Sequence, residues 1–210
     1  MQQDVRKSPP SRAVPKAPPT EPEAFIRWCA SQPRGSGRYE LTDRGVEWTG
    51  PGTSRKHAQV VANLIRELNR RHDLDHQFIT GGEFAVRIGR FVRYPDVLVD
   101  QTAIGSDEEA GVYRALRPIF LAEVLSPSSV GRDFVEKTPE YLSLETLRCY
   151  LICSQDEPRL WVWNRKRDKS WPEKPDEIAG RTAHVRIAGM KGDVGLAAIF
   201  RGIPDAAVIG

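Results

Sequence analysis

Two carboxylates of this 210-residue chain lie where packing alone would favour apolar side chains. Glu123 stands inside residues 119–125, an otherwise apolar run between prolines that predicts a strand buried on both faces. Asp96 opens a second apolar run, residues 97–99. Adjacent pairing of these strands would place both carboxylates at one end of a sheet, where Mg²⁺ could bind them together with water and a substrate phosphate. The alternative for Glu123 is a structural ion pair with an arginine.

Lys137 is a third charged residue in an apolar pattern. The helix expected after residues 119–125 carries one apolar stripe that Lys137 interrupts, and the spacing places on that face Val130, Phe134, Lys137, Tyr141 and Leu144. Such a cation could meet the two carboxylates or the charge that develops on a phosphate. The alternative is an ammonium that extends along the helix flank to water. Pro139 weakens the face assignment, because a new helical segment could begin at Thr138.

Weaker candidates surround these three residues. His57 falls on the apolar stripe of a predicted helix, which is more typical of a half-buried structural histidine than of a ligand. Glu40 lies in a predicted hairpin and could equally be a surface residue, and Glu83 at a strand start is a further candidate carboxylate. His72 and His76 could bind a metal ion, but their polar helix end favours solvated side chains.

The elements that must position these residues follow from periodicity and turn signals. A hairpin over 38–41 and 46–49 turns at Gly45, and a helix capped by Thr53 or Ser54 continues to about residue 71. Period-two strands fill residues 77–100, a surface loop covers 101–117, and later strands are expected over 147–153, 159–163 and 184–188. This order predicts a mixed α/β (α+β) fold and argues against a strict βαβ array.

Composition sets the limits on domain number and location. Residues 1–22 are proline-rich and predict a disordered tail, which leaves 23–210 as one domain. No apolar run is long enough for a membrane helix or a secretory signal, so we expect a cytoplasmic protein without a membrane partner. The 31 basic and 28 acidic residues permit nucleic-acid binding without arguing for it. The three cysteines form no metal-ligand pattern, so neither zinc nor thiol chemistry is assigned.

A set of short motifs resembles the Uma-two family of restriction endonucleases, within the PD-(D/E)xK nuclease superfamily. The resemblance covers about residues 23–203, and the run from Glu123 to residue 128 followed by a lysine and a tyrosine is its most specific part. The matching residues are Arg38-Tyr39-Glu40-Leu41, His57, Pro95-Asp96-Val97-Leu98-Val99, Ala122-Glu123-Val124-Leu125-Ser126-Pro127-Ser128, Asp133, Glu136-Lys137 and Tyr141.

The resemblance implies roles for individual residues. Asp96 and Glu123 would be the superfamily's metal-binding carboxylates, with Mg²⁺ or Mn²⁺ as the cofactor. The chain departs from the superfamily pattern at Leu125, where a lysine is usual, and Lys137 matches the lysine that Uma-like sequences carry on the following helix. Glu40 and His57 match recurrent positions whose roles are less clear. The implied fold is restriction-endonuclease-like, a mixed central sheet flanked by helices, with an extra N-terminal hairpin and C-terminal strands.

The residues and the resemblance together favour a metal-dependent endonuclease that hydrolyses phosphodiester bonds in DNA. The alternative is a catalytically silent nuclease-fold module that binds nucleic acid or a protein partner, since the basic turn at 165–169 is more typical of a solvated hairpin tip than of a DNA contact. A homodimer would suit an enzyme that cuts both strands, although no sequence feature identifies its interface. A two-carboxylate glycosidase is disfavoured, because the chain is short and lacks a recognisable aromatic cleft.

Overall fold

The computed structural model describes residues 17–33, 37–50, 54–71, 77–102, 114–126 and 131–204. The helices are α1 (Pro22–Ala30), α2 (Arg55–Asn69), a π-helical segment (Arg132–Lys137) that leads directly into α3 (Thr138–Leu142), and α4 (Leu196–Ile199). The strands are β1 (Arg38–Thr42), β2 (Gly45–Gly50), β3 (Phe78–Gly81), β4 (Val86–Ile88), β5 (Phe91–Arg93), β6 (Val97–Asp100), β7 (Pro118–Val124), β8 (Cys149–Cys153), β9 (Arg159–Asn164), β10 (Asp176–Ala179), β11 (His184–Arg186) and β12 (Asp193–Gly195).

A six-stranded mixed sheet in the order β10-β9-β8-β7-β6-β3 forms the centre of the protein. One of its two central strands, β7, pairs antiparallel with β6 and parallel with β8. The chain crosses from β7 to β8 through the π-helical segment and α3. Val97 of β6 lies opposite Ala122 of β7, which confirms the predicted pairing of the two apolar runs. The predicted mixed α/β (α+β) fold, with its central sheet flanked by helices, is therefore confirmed.

The two faces of this sheet are covered by different layers. The side chains of α2 pack on one face against β6 and β7, for example Leu64 against Val97 and Val99, and the C-terminal β11, β12 and α4 belong to the same core. On the other face α3 contributes Tyr141, which packs with Tyr150 of β8. Because successive residues of a strand point to opposite faces, Glu123 points toward the α3 layer.

The N-terminal hairpin belongs to a second sheet, of order β2-β1-β5-β4. Residues 77–100, with their alternating apolar side chains, were predicted as one set of strands. In the structure these strands belong to two sheets, since β3 and β6 join the central sheet whereas β4 and β5 join the hairpin. Alternation within a strand does not tell which sheet the strand joins, so this division was not predictable from periodicity. Helix α1 packs on the second sheet through Phe25 and Ile26, next to Leu41 of β1.

Several elements differ from the expectations in detail. The helix that carries Lys137 is not one continuous α-helix, and Leu144 lies beyond its end. Pro139 has no N–H to donate to residue 135, so the turn before it widens, and Thr138 Oγ1 donates instead to the Asp133 carbonyl at 2.8 Å. Helix α1 begins at Pro22, capped by the Glu21 side chain, which is one residue before the expected domain start.

Other differences lie in the C-terminal third, where the short elements β10, β12 and α4 were not predicted. Cys149 and Cys153 are buried in β8, as expected. The predicted cap Thr53, the histidines His72 and His76, Val130, most of the 1–22 tail and most of the 101–117 loop lie outside the described residues. Within the described part of the chain, no helix combines the length and apolarity needed to cross a membrane.

Candidate functional site

Glu123 lies buried between two donors from the helical layer. Its Oε1 accepts hydrogen bonds from Lys137 Nζ at 2.9 Å and from Tyr141 Oη at 2.8 Å. Only 3 % of the residue is exposed. The π-helical segment ends at Lys137 and α3 carries Tyr141 one turn later, so a single face of this composite helix supplies both donors.

Asp96 lies at the same end of the sheet. The β6–β7 register pairs Val97 with Ala122, so the preceding residue, Asp96, faces the position of Glu123. Asp96 Oδ2 accepts from Val124 N at 2.9 Å and lies 2.9 Å from His57 Nε2. Asp96 Oδ1 lies 3.6 Å from an Arg38 nitrogen. The structure therefore brings Asp96 and Glu123 to the same end of the sheet, as expected for adjacent pairing of their strands.

Lys137 connects the carboxylates of three different elements. Besides Glu123, its ammonium lies 3.4 Å from Glu40 Oε1 on β1 and 3.3 Å from Asp133 Oδ1 in the π-helical segment. Lys137 is 6 % exposed, so it does not extend to water along the helix flank. Burial alone would lower the pKa of Lys137, but Glu123, Glu40 and Asp133 together raise it above its ordinary value. Lys137 is consequently a fixed cation.

Glu40 is buried rather than exposed on the hairpin surface. Its Oε2 accepts from Arg93 at 3.0 Å, and Arg93 in turn makes two 2.7 Å hydrogen bonds to the carboxylate of Glu140. Burial would raise the pKa of Glu40, but Lys137 and Arg93 hold it below its ordinary value. Arg93 and Glu140 were missed from the sequence, where the detectable signal was an arginine at the end of the short apolar strand β5.

The buried carboxylates of the site lie among three cations, Lys137, Arg93 beside Glu40 and Arg38 beside Asp96. Four carboxylates converge on Lys137, directly or through a neighbour: Glu40, Asp96, Glu123 and Asp133. Burial raises the pKa of Glu123 to about 8, and the negative charges of Asp133, Asp96 and Glu40 add to this effect against the opposing influence of Lys137. A further cation beside Glu123 would favour the ionised form of its carboxyl group.

His57 reaches Asp96 from the opposite layer. The Ser54 hydroxyl caps α2 by accepting a hydrogen bond from His57 N at 3.0 Å. The imidazole of this first turn reaches Asp96 at the end of the sheet. The histidine is 8 % exposed, and its Nδ1 has no hydrogen-bond partner among the described residues. Burial would raise the pKa of Asp96, but the His57 contact first, and then Val124 N and Arg38, hold it below its ordinary value. His57 is therefore buried, and it orients Asp96.

The structure thus brings five sequence-predicted site residues together, namely Glu40, His57, Asp96, Glu123 and Lys137. Glu83 lies apart, exposed at the turn after β3. Leu125 packs among apolar side chains of the α3 layer, so the cation beside Glu123 comes from the helix. The sequence placed Tyr141 on the helix face of Lys137 and showed Asp133 only as a motif match, but it predicted neither the contact of Tyr141 with Glu123 nor that of Asp133 with Lys137.

The donor set suits a hydrated divalent ion. Within the described ranges, no three His, Cys, Asp or Glu side chains are grouped closely enough to form a complete metal site. Mg²⁺ commonly binds to one or two carboxylates and keeps several waters, whereas a structural zinc site needs four protein ligands. Asp96 and Glu123 fit the first requirement, and a bound cation would favour the ionised form of Glu123.

The chain is similar to known proteins over most of its length. A sequence profile of the Uma2 family, described as "Putative restriction endonuclease", matches residues 22–188. The "Uncharacterized protein sll1609" of Synechocystis sp. (strain ATCC 27184 / PCC 6803 / Kazusa) is 26 % identical over 147 residues, which are 67 % of this chain and 78 % of that protein. The crystal structure of "a putative nuclease belonging to DUF820" from Anabaena variabilis ATCC 29413 aligns with a TM-score of 0.63 at 14 % identity, covering 83 % of this chain and 96 % of that one, and shows a shared fold.

Proposed function

This chain belongs to the Uma2 family, and from that premise we propose that it is a metal-dependent endonuclease acting on phosphodiester bonds in DNA. The observation that carries the proposal is the contact of Glu123 with Lys137 beside Asp96, at one end of the central sheet. Phosphoryl-transfer enzymes depend on positioning and electrostatic stabilisation, which is what two carboxylates and a buried cation supply.

Asp96 and Glu123 would hold Mg²⁺ or Mn²⁺. When bound, such an ion polarises the scissile phosphate and lowers the pKa of a coordinated water. The chain's own contribution is to fix the two carboxylates: Val124 N and His57 hold Asp96, while Tyr141 holds Glu123. Held in this way, the two carboxyl groups have fixed positions at one end of the sheet, and a hydrogen-bonded outer shell of this kind commonly accompanies metal ligands.

Lys137 would act as an electrostatic residue. Its raised pKa keeps the ammonium protonated at neutral pH, so it does not serve as a proton acceptor. Located 2.9 Å from Glu123, it would counter the charge that builds on the phosphate oxygens or orient the attacking water. The helix-borne Lys137 would then fill the place that Leu125 leaves without a cation.

The test is nicking of supercoiled plasmid with Mg²⁺ or Mn²⁺, against EDTA, by the wild type and by Glu123→Gln and Asp96→Asn. We expect metal-dependent nicking by the wild type and a loss of at least about a hundredfold in each variant, since loss of an outer-shell partner alone typically costs about 10–100-fold. Glu145→Gln is the matched control, because it removes an exposed carboxylate from the turn after α3. Isothermal titration of Mn²⁺ into the same four proteins measures metal binding independently.

The alternative function predicts a different pattern. A folded wild type that binds DNA but neither takes up metal nor nicks plasmid would be a non-cutting module, and Lys137 with its carboxylates would then be a buried ion cluster. Nicking that persists in Glu123→Gln would place the reaction elsewhere in the chain.

A further inference from the structure

A cleft of about 920 Å³ opens next to Asp96, outside the carboxylate cluster. It lies between α1, the start of β1 and the end of β3, and Tyr94 closes one side. Two glycines that line the cleft lie against the backbone of Asp96. Gly82 N donates a hydrogen bond to the Asp96 carbonyl at 3.1 Å, and a Cβ on Gly81 would lie 3.3 Å from the same oxygen. Its volume falls in the roughly 300–1,000 Å³ range of small-ligand sites.

Arg38 links this cleft to the carboxylates. Its guanidinium donates to the Gly82 carbonyl at 3.4 Å and lies 3.6 Å from Asp96 Oδ1, while 42 % of the side chain remains exposed. The Arg38 guanidinium can lie here because residue 82 is a glycine, since a Cβ on that residue would collide with the guanidinium. Among the described lining residues, Arg38 is the one cation and Glu83, exposed at the turn after β3, is the one carboxylate. A phosphate bound at Arg38 would therefore lie next to the proposed reaction centre.

An exposed aromatic side chain, Trp48, lies against a lining residue of the cleft without lining the cleft itself. Trp48 of β2 is 54 % exposed, and its indole covers Gly37, a lining residue with φ of 92° where a Cβ would collide with the ring nitrogen. Tyr39, its cross-strand neighbour, lines the cleft and is held edge-on by Trp28 at 5.1 Å. The strand register shifts between Arg38 and Tyr39, and irregularities of this kind redirect side chains near functional sites.

We propose that this cleft accepts an unpaired nucleotide of the DNA substrate, with its base stacked on Trp48 and its phosphate on Arg38. Aromatic rings beside a cation form the usual platform for single-stranded nucleic acid, because every base has a face that can stack. A base inside a duplex cannot reach such a cleft unless it leaves the stack. The substrate class is thus DNA with unpaired bases. Cleavage of that DNA rests on the function proposed above, whereas the binding site stands independently of it.

The test measures binding without cleavage. Fluorescence anisotropy in EDTA compares a labelled oligo(dT) with a duplex of the same length, for the wild type, Trp48→Ala and Arg38→Gln. We expect the single strand to bind more tightly than the duplex. Trp48→Ala should weaken single-strand binding on the order of tenfold, the size expected for the loss of one stacked base. Arg38→Gln should reduce the slope of log affinity against log salt by about 0.7, the value for one phosphate contact on a single strand.

Two further variants complete the test. Trp48→Phe keeps an aromatic face and should retain most of the affinity, while Val135→Ala removes another exposed apolar side chain and should leave binding unchanged. Equal single-strand affinity for wild type and Trp48→Ala, or a preference for duplex, overturns the proposal. The plasmid assay distinguishes this binding site from the proposed nuclease activity. If binding depends on Trp48 but the protein does not nick plasmid, the binding site is retained and the nuclease is refuted. If the protein nicks plasmid but binding does not depend on Trp48, the nuclease is retained and the binding site is refuted.

Discussion

Lys137 Nζ lies 2.9 Å from Glu123 Oε1, although the two residues belong to different layers of the protein. The contact depends on the irregular helix between them, because the π-helical segment ends at Lys137 and α3 starts at the next residue. π-helical turns are rare and are frequently found at functional sites. Here the turn directs a lysine toward the strand that carries Glu123.

Replacement of Lys137 by glutamine should destabilise the fold as well as abolish nicking. Three carboxylates lie within 3.4 Å of its ammonium, and they would lose their common cation while remaining buried. Breaking a buried pair in this way costs about 3–5 kcal/mol. Urea unfolding measures the loss, and Lys166→Gln, on the exposed turn after β9, is the control. An unfolding free energy equal to that of the control would show that Lys137 is not holding these carboxylates.

The sequence predicted the core of this site because buried charges interrupt apolar patterns. Glu123 and Asp96 were recognisable within their runs, and the pairing of β6 with β7 then placed them together. The burial of Glu40 was not predictable, because it depends on Arg93 from a strand 53 residues away. The π-helical turn was likewise invisible to a 3.6-residue period, although Pro139 signalled an interruption.

Arg93 should be essential for stability and intolerant of lysine. Its guanidinium is 1 % exposed and joins Glu40 to Glu140, with a bidentate geometry toward Glu140 that a lysine cannot reproduce. We expect Arg93→Lys to lower the unfolding free energy by about 2–4 kcal/mol, close to the cost of a broken buried pair. Thermal and urea unfolding test this.

A double-mutant cycle distinguishes the Arg93–Glu140 pair from a general packing effect. If the pair accounts for the loss, the effects of Arg93→Gln and Glu140→Gln will be strongly non-additive. Additive losses would mean that the two side chains stabilise the protein independently.

Truncation of His57 should weaken metal binding more than it weakens the fold. The imidazole holds Asp96 Oδ2 at 2.9 Å from a separate layer, so His57→Ala leaves the carboxylate in place but removes one of the contacts that orient it, while those with Val124 N and Arg38 remain. Loss of an outer-shell partner typically costs 10–100-fold in metal affinity. Titration of Mn²⁺ into His57→Ala and into His184→Ala, an exposed histidine of β11, gives the comparison. Equal affinities in the two variants would remove His57 from the site.

Stability of the metal-free protein should fall as pH rises from about 4.5 to about 8, because of Glu123. Its pKa is raised to about 8 in the folded protein, against 4.5 for the ordinary side chain. Between these values the unfolded chain has released the proton that the folded protein retains, so unfolding releases a proton. The stability that Glu123 contributes is therefore fully present below about pH 4.5 and lost as pH rises through about 8.

Glu123→Gln, whose side chain stays neutral, isolates this contribution. Urea unfolding in EDTA should show the wild type losing stability relative to the variant by at most about 1.4 kcal/mol per pH unit across that window, the equivalent of one pKa unit. Groups common to both proteins cancel in the difference. Below about pH 4.5 the two curves should run parallel, because Glu123 is protonated in both states. A difference that stays constant up to pH 8 would mean that Glu123 is ionised in the folded protein, with Lys137 neutralising it fully.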